Sequence, residues 1–294
     1  MRVALRSFFA GVSLLFIAAP ALGAESSLDG CYQVERLFDG RLPAAEAAQQ
    51  MEWLRASAER GGKHSAYYLG TLYRLGHAHP ARRVPQDLAQ ARHWLTQSAL
   101  AGGLGAMAGL AELELAELRP REALVIIRVR EHYAKRYPEA RMAELGHYPR
   151  FLRRRAEVAL MRQAEPVSDA DIQADIDAFI ATHGAGIEAR ITKPGTQREG
   201  AGCPPFYDTE QWPLVRRGTR VVHVATERTS TDEPAYAWVI PLVNAKGRVD
   251  DVLVVDFAAT PEELRVLRGI GMSQRYNRLP GAPTRSARFP INLR

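Results

Sequence analysis

Cysteine and lysine are both scarce in this chain. Two cysteines occur in 294 residues, and only 4 of the 39 basic side chains are lysine. One disulfide is the most that Cys31 and Cys203 can form. The arginine bias, alongside many alanines, fits a GC-rich coding sequence and carries no functional message. No serine has a lysine three residues on, and none is flanked by spaced glycines, so two common hydrolase patterns are missing. Metal-ligand spacing is missing as well. His77 and His79 bracket Ala78 and could join His64 or His93, but no Asp, Glu or Cys of ligand spacing accompanies them, so a solvated loop is expected there. Glu262 and Glu263 read as a helix start rather than an acid–base pair. No metal, cofactor or catalytic residue is expected, although catalytic residues scattered in sequence would leave no such pattern.

The first residues carry an export signature. Arg2 and Arg6 are followed by an uncharged stretch from Ser7 to Ala24, apolar from Phe8 to Ala19, then by Pro20 and the small residues Ala21, Gly23 and Ala24. This order is that of a secretory signal peptide cleaved near Gly23–Ala24, and the periplasm of a Gram-negative cell is the expected destination. The alternative is an uncleaved inner-membrane anchor, since about 18 uncharged residues can just span a bilayer. Cleavage would remove Arg2 and Arg6 and lower the net charge from +6 to +4. In an oxidising compartment an even cysteine count favours a Cys31–Cys203 bond over two free thiols. The excess charge is concentrated between Arg119 and Arg162, where 12 basic and 5 acidic residues stand. That region either meets an acidic partner or anionic lipid, or is the wet face of amphipathic helices. Nucleic acid is not an expected partner.

An internal repeat follows. Trp53-Leu54, Ser57-Ala58 and Gly61-Gly62 recur as Trp94-Leu95, Ser98-Ala99 and Gly102-Gly103, and Leu69 recurs as Leu110. Each copy reads as a helix with Trp, Leu and Ala facing a neighbour, a Gly-Gly stop, and a second helix. The repeat core is therefore expected at Trp53, Leu54, Leu69, Trp94, Leu95 and Leu110. The run Ser65–Gly76, followed by Gln86-Asp87, Ala91, Trp94-Leu95, Ala99 and Gly102, resembles one full Sel-one-like repeat. Flanking half-units run from Pro43 to Gly62 and from Gly105 to Leu118. That family is related to the tetratricopeptide repeat, and the resemblance implies an α/α solenoid that binds proteins. The stretch His77–Pro85 departs from it by being longer and carrying Pro80 and Pro85. Helices at Glu122–Tyr137, Phe151–Arg162 and from Ser168 to a stop at Gly184 would cap the array.

Beyond Gly184 the pattern changes. Residues 185–211 read as a linker, Gly- and Pro-rich from Lys193 to Pro205. Strands are expected at Thr219–Thr226, Tyr236–Asn244 and Val249–Phe257, the last two forming a hairpin around Asn244–Gly247. A helix capped at Thr260-Pro261 should run to about Gly269. Ser286–Leu293 should be a final edge strand containing Pro290. The hairpin Trp238–Val255, the segment Pro280–Pro283, the ending Arg288–Leu293 and the entry Trp212-Pro213 together are similar to TonB C-terminal domains. The serine pair and aspartate of that family are replaced here by Ala258-Ala259 and Glu262-Glu263, and the strand-like Arg220–Ala225 is extra. The expected architecture is a signal peptide at 1–24, a helical repeat domain at 25–184, and a small α+β domain with an antiparallel sheet at 212–294. The resemblances imply a non-catalytic periplasmic adaptor. Its solenoid would hold a peptide or protein, and its last strand, at Arg288, Phe289, Ile291 and Leu293, would recruit an envelope partner such as an outer-membrane receptor segment. Two other readings stand beside it: a TonB-type energy transducer coupled to an inner-membrane motor, and an envelope enzyme.

Overall fold

A computed structural model of the chain describes residues 37–38, 42–137, 148–163, 166–192, 235–276, 284–285 and 289–293. The export segment, Cys31, Cys203, the segment 193–234 and Arg288 lie outside the described residues. A helical region is followed by a small α+β region with an antiparallel sheet.

The helices are α1 (Ala44–Glu59), α2 (Lys63–Leu75), α3 (Leu88–Leu100), α4 (Leu104–Ala116), α5 (Pro120–Arg136), α6 (Tyr148–Met161) and α7 (Asp169–Thr192). The repeated sequence produces repeated geometry. After α1, Gly61 N–H donates to Ala58 O and Gly62 N–H to Ser57 O; after α3, Gly102 donates to Ala99 O and Gly103 to Ser98 O. Both are Schellman closures, which need a left-handed residue, and Gly61 and Gly102 supply it at φ +86° and +82°. Leu95 of α3 then wedges between two helices. A Cβ at Gly70 of α2 would stand 2.7 Å from Leu95 Cγ, and one at Gly109 of α4 would stand 3.3 Å from Leu95 Cδ2. Glycine at these points allows the close approach. Trp53, Leu54, Leu69, Trp94, Leu95 and Leu110 are all buried. Fully burying one leucine side chain is worth roughly 2 kcal/mol before entropy is counted.

Two helix ends differ from expectation. Gly184 does not stop α7, which continues to Thr192, so 185–192 is helix rather than linker. The glycine is there for clearance: its Cβ would lie 3.3 Å from the Tyr133 hydroxyl. Beyond it Ile187 is buried, Ile191 packs on Gly102, and Arg190 donates to Leu100 O at 3.2 Å. These contacts extend the apolar stripe of Ile172 and Ile176 past the glycine.

The sheet begins with β1 (Ala235–Val243) and β2 (Val249–Ala258), joined by a turn in which Asn244 Oδ1 accepts from the N–H groups of Lys246 and Arg248. Helix α8 (Pro261–Ser273) follows, with a reciprocal capping box between Thr260 and Glu263. It runs past the expected end at Gly269, because Gly271 packs against Val252 and Ile291. Short β3 (Thr284–Arg285) and β4 (Phe289–Leu293) both pair with β1 on the side opposite β2. The sheet is covered on both faces. Ala235, Ala237, Val239 and Val243 join Leu267 under α8, whereas Tyr236, Trp238 and Ile240 join the core of the helices.

A third Schellman closure ends α4, with Leu118 N–H donating to Leu115 O and Arg119 N–H to Glu114 O. Here the left-handed position is held by a leucine, at φ +59°, and its side chain is 86% exposed. Left-handed backbone costs a non-glycine residue about 1–2 kcal/mol, and Leu118 regains little of that by burial. Leu118→Gly should therefore stabilise the fold by about 0.5–1 kcal/mol after the added entropy of the unfolded chain is subtracted. Urea denaturation should move to a higher midpoint at unchanged slope. A lower midpoint would show that the leucine makes a stabilising contact.

Candidate functional site

The most concentrated polar chemistry lies where the helices meet the sheet. It starts from a β-bulge. Trp238 pairs with Asp256 and Val239 with Val254, so Val255 is an extra residue in β2. A bulge re-aims the side chains next to it. Here Val255 and Asp256, although consecutive, both face the helices.

Asp256 enters that interface as a buried carboxylate and is met there by donors from α2 and β1. Arg74 Nη2 lies 3.2 Å from Asp256 Oδ1, and Arg74 Nη1 lies 2.8 Å from Glu112 Oε2 on α4. The Tyr67 hydroxyl donates to Asp256 Oδ2, and the Tyr236 hydroxyl reaches the same oxygen at 3.4 Å. The Tyr148 hydroxyl of α6 donates to Glu112, and the Tyr148 and Tyr236 rings stack with centroids 4.5 Å apart. Five elements, α2, α4, α6, β1 and β2, thus converge on one guanidinium that is only 7% exposed.

The electrostatics keep the guanidinium charged and the phenols protonated. Burial works against the Arg74 charge, but Glu112 and Asp256 outweigh it and push its pKa above the usual value. Burial, followed by the Asp256 charge, raises Tyr67 and Tyr236 well above the ordinary phenol range; burial followed by Glu112 does the same for Tyr148. The tyrosines therefore stay neutral donors. Every contact in the set points from one protein group to another, which is the arrangement of a fastening between layers.

Next to it stands His79, which is fully buried. This corrects the expectation of a solvated loop for His79 itself; His77, Ala78 and Pro80 around it are exposed. A 3-10 turn, Gly76–Ala78, carries the chain to the edge of β2. Ala81 N–H donates to His79 Nδ1 at 3.0 Å, so the proton sits on Nε2, which donates to Val255 O at 3.1 Å. The bulge frees that carbonyl from the ladder, and the histidine satisfies it. The ring also lies between Phe38 and Phe257. The His77–Pro85 stretch, which departs from the repeat pattern, thus brings His79 to Val255 and Phe257 of β2.

The residues expected to recruit a partner lie on the other edge. Phe289, Ile291 and Leu293 of β4 pair with Val239, Ala237 and Ala235 of β1. Ile291 is buried toward α8. Among the described residues no strand pairs with the far side of β4, and no group of three His, Cys, Asp or Glu side chains could hold a metal. Sequence reading missed Arg74, Glu112, Tyr67, Tyr148, Tyr236 and Asp256. One signal was there: Asp256 is the only charge in the otherwise apolar run Val252–Phe257, and a charge in a buried strand needs a partner. No family model, curated protein or solved structure matches the chain.

Two measurements test this interface. Asp256→Ala leaves Arg74 with one carboxylate and should cost about 3–5 kcal/mol, as breaking a buried ion pair does. The double change Arg74→Met, Asp256→Leu should cost less than the single one in urea denaturation, and the reverse order would show that the pair does not act as a unit. The second measurement concerns pH. Burial first, then Arg74 and Arg83, lower the His79 pKa from 6.5 to about 4. An unfolded histidine takes up its proton at higher pH than the folded one, so stability is full above about pH 6.5 and falls as the pH drops toward 4, by roughly 3 kcal/mol at the limit. His79→Gln should flatten the stability profile in that window. An unchanged slope would assign the pH dependence to another group.

Proposed function

We propose that this chain is a non-catalytic interaction protein of the cell envelope. Its helices act as a Sel-one-like repeat solenoid that holds a peptide or protein, and β4 recruits a partner strand on the side where no described strand pairs with it. The observation that carries the reading is the asymmetry of the sheet edges. On the β2 side His79 takes up the Val255 carbonyl, whereas β4 has no second strand partner among the described residues. An edge that is neither covered nor paired is a liability unless it is used, and a partner strand added there would gain main-chain hydrogen bonds. The resemblance of the hairpin and chain ending to TonB C-terminal domains points the same way, toward an extended segment of an envelope protein. Matching register supports the repeat reading: α2 and α4 have equal length, and α1 and α3 end in the same closure. Export rests on the N-terminal charge and apolar pattern. Among the described residues no helix is long and apolar enough to cross a membrane.

A photoreactive residue substituted at Asn292 in β4 should form adducts in producing cells, while the same residue at Lys246 in the hairpin turn should not. Adding the captured segment as a peptide should slow amide exchange in β4. If Asn292 gives no adduct while positions on the helices do, binding belongs to the helical face alone.

A further inference from the structure

Helix α6 is built with two unlike sides. Tyr148, Leu152 and Ala156 are buried against the neighbouring helices and the sheet. The opposite side, by helical spacing, carries Arg150, Arg154 and Met161. Arg155 lies beside them, its guanidinium 5.5 Å from the centre of the Phe151 ring, and Arg162 follows the helix end. The arginines of this surface fall into two classes. Arg153, on the flank, is held by Glu131 at 3.2 Å and Glu157 at 2.8 Å. Arg150, Arg154, Arg155 and Arg162 have no carboxylate within ion-pair distance among the described residues. Arg150 and Arg154 are one turn apart, where like charges repel each other. Several other helix arginines are paired, Arg92 and Arg119 with Glu114 and Glu117, Arg121 with Asp175, and Arg136 with Glu188, whereas Arg55, Arg190 and Arg265 stand singly without a carboxylate among the described residues. Among the described residues, the arginines without a carboxylate are thus grouped most densely on α6.

We propose that this side of α6 docks on the anionic headgroups of a lipid bilayer. The charge is complementary to phosphate, and a guanidinium binds phosphate oxygens in pairs. Arg150, Arg154 and Met161 follow one another along one side over about 17 Å of the helix, with Arg155 on the adjoining flank, a shape that suits a flat surface. Met161 is 76% exposed on the same side. An apolar side chain among arginines fits the boundary between headgroups and acyl chains and gains nothing from a soluble acidic peptide. The inference is independent of the β4 edge and of the repeat reading. Export decides only which membrane is met.

The test compares vesicle partition of the full chain, as isolated from the producing cell, on phosphatidylglycerol–phosphatidylcholine vesicles and on phosphatidylcholine alone. Any insertion of the apolar N-terminal stretch contributes to both, so the ratio isolates the charge-dependent part. The parent should favour the anionic vesicles, with the preference shrinking as salt rises. At about fivefold per arginine, Arg150→Gln, Arg154→Gln, Arg155→Gln should lower the ratio on the order of a hundredfold, with an unchanged circular dichroism spectrum. The exposed cations Lys246 and Arg265, changed to Gln on the other part of the molecule, should leave it within a few fold. Equal loss in that control would make the preference a net-charge effect and overturn the proposal. So would a parent ratio near one. Competition by soluble polyglutamate that matches competition by anionic vesicles would reassign the surface to an acidic protein.

Discussion

The charge on Arg74 is the constraint around which the interior is arranged. A buried guanidinium must be paired, and desolvation makes an imperfect pairing costly. Two carboxylates from different regions of the chain do it, Glu112 from the helices and Asp256 from the sheet, and tyrosines from α2, α6 and β1 complete the shell. Much of the local geometry follows from that need. The bulge in β2 is required to turn Asp256 inward. The carbonyl it releases is required to find a donor, and the long loop after α2 brings His79 to it. A hydrophobic interface alone would tolerate sliding of the sheet on the helices. The ion pairs and the bulge fix one register.

The fold was largely legible because its signals are local. Gly61, Gly102 and Gly247 stand where positive φ is needed, and the Thr260–Glu263 box and the Ser168–Asp171 pair mark helix starts by their own side chains. Alternation alone placed β1 and β2 within a residue at each end. Gly184 misled because a glycine that stops a helix and a glycine that clears a neighbour, as Gly271 does in α8, are the same letter. Only the position of Tyr133, Val252 or Ile291 distinguishes them, and that is tertiary information.

The interface was hidden for a related reason. Tyr67 and Arg74 sit inside the stretch that carries the repeat resemblance, and Tyr236 and Asp256 inside a hairpin read as strands, so each residue already had an explanation. Their partnership spans 182 positions in the case of Arg74 and Asp256. His79 was misjudged on the same ground: a histidine just before a proline in a loop looks wet until a strand distant in sequence meets it.

That separation in sequence also sets an order of assembly. The helices close over neighbours that emerge shortly before or after them, whereas the sheet arrives with the last sixty or so residues. In the interval the surface that will receive β1 and β2 is open to water. It carries Arg74, Glu112 and the hydroxyls of Tyr67 and Tyr148 among its apolar groups, so a chain whose sheet is not yet in place would keep a hydrated face where a purely aliphatic one would adhere to other chains. The groups that later lock the sheet in register thus also protect the unfinished molecule from its neighbours.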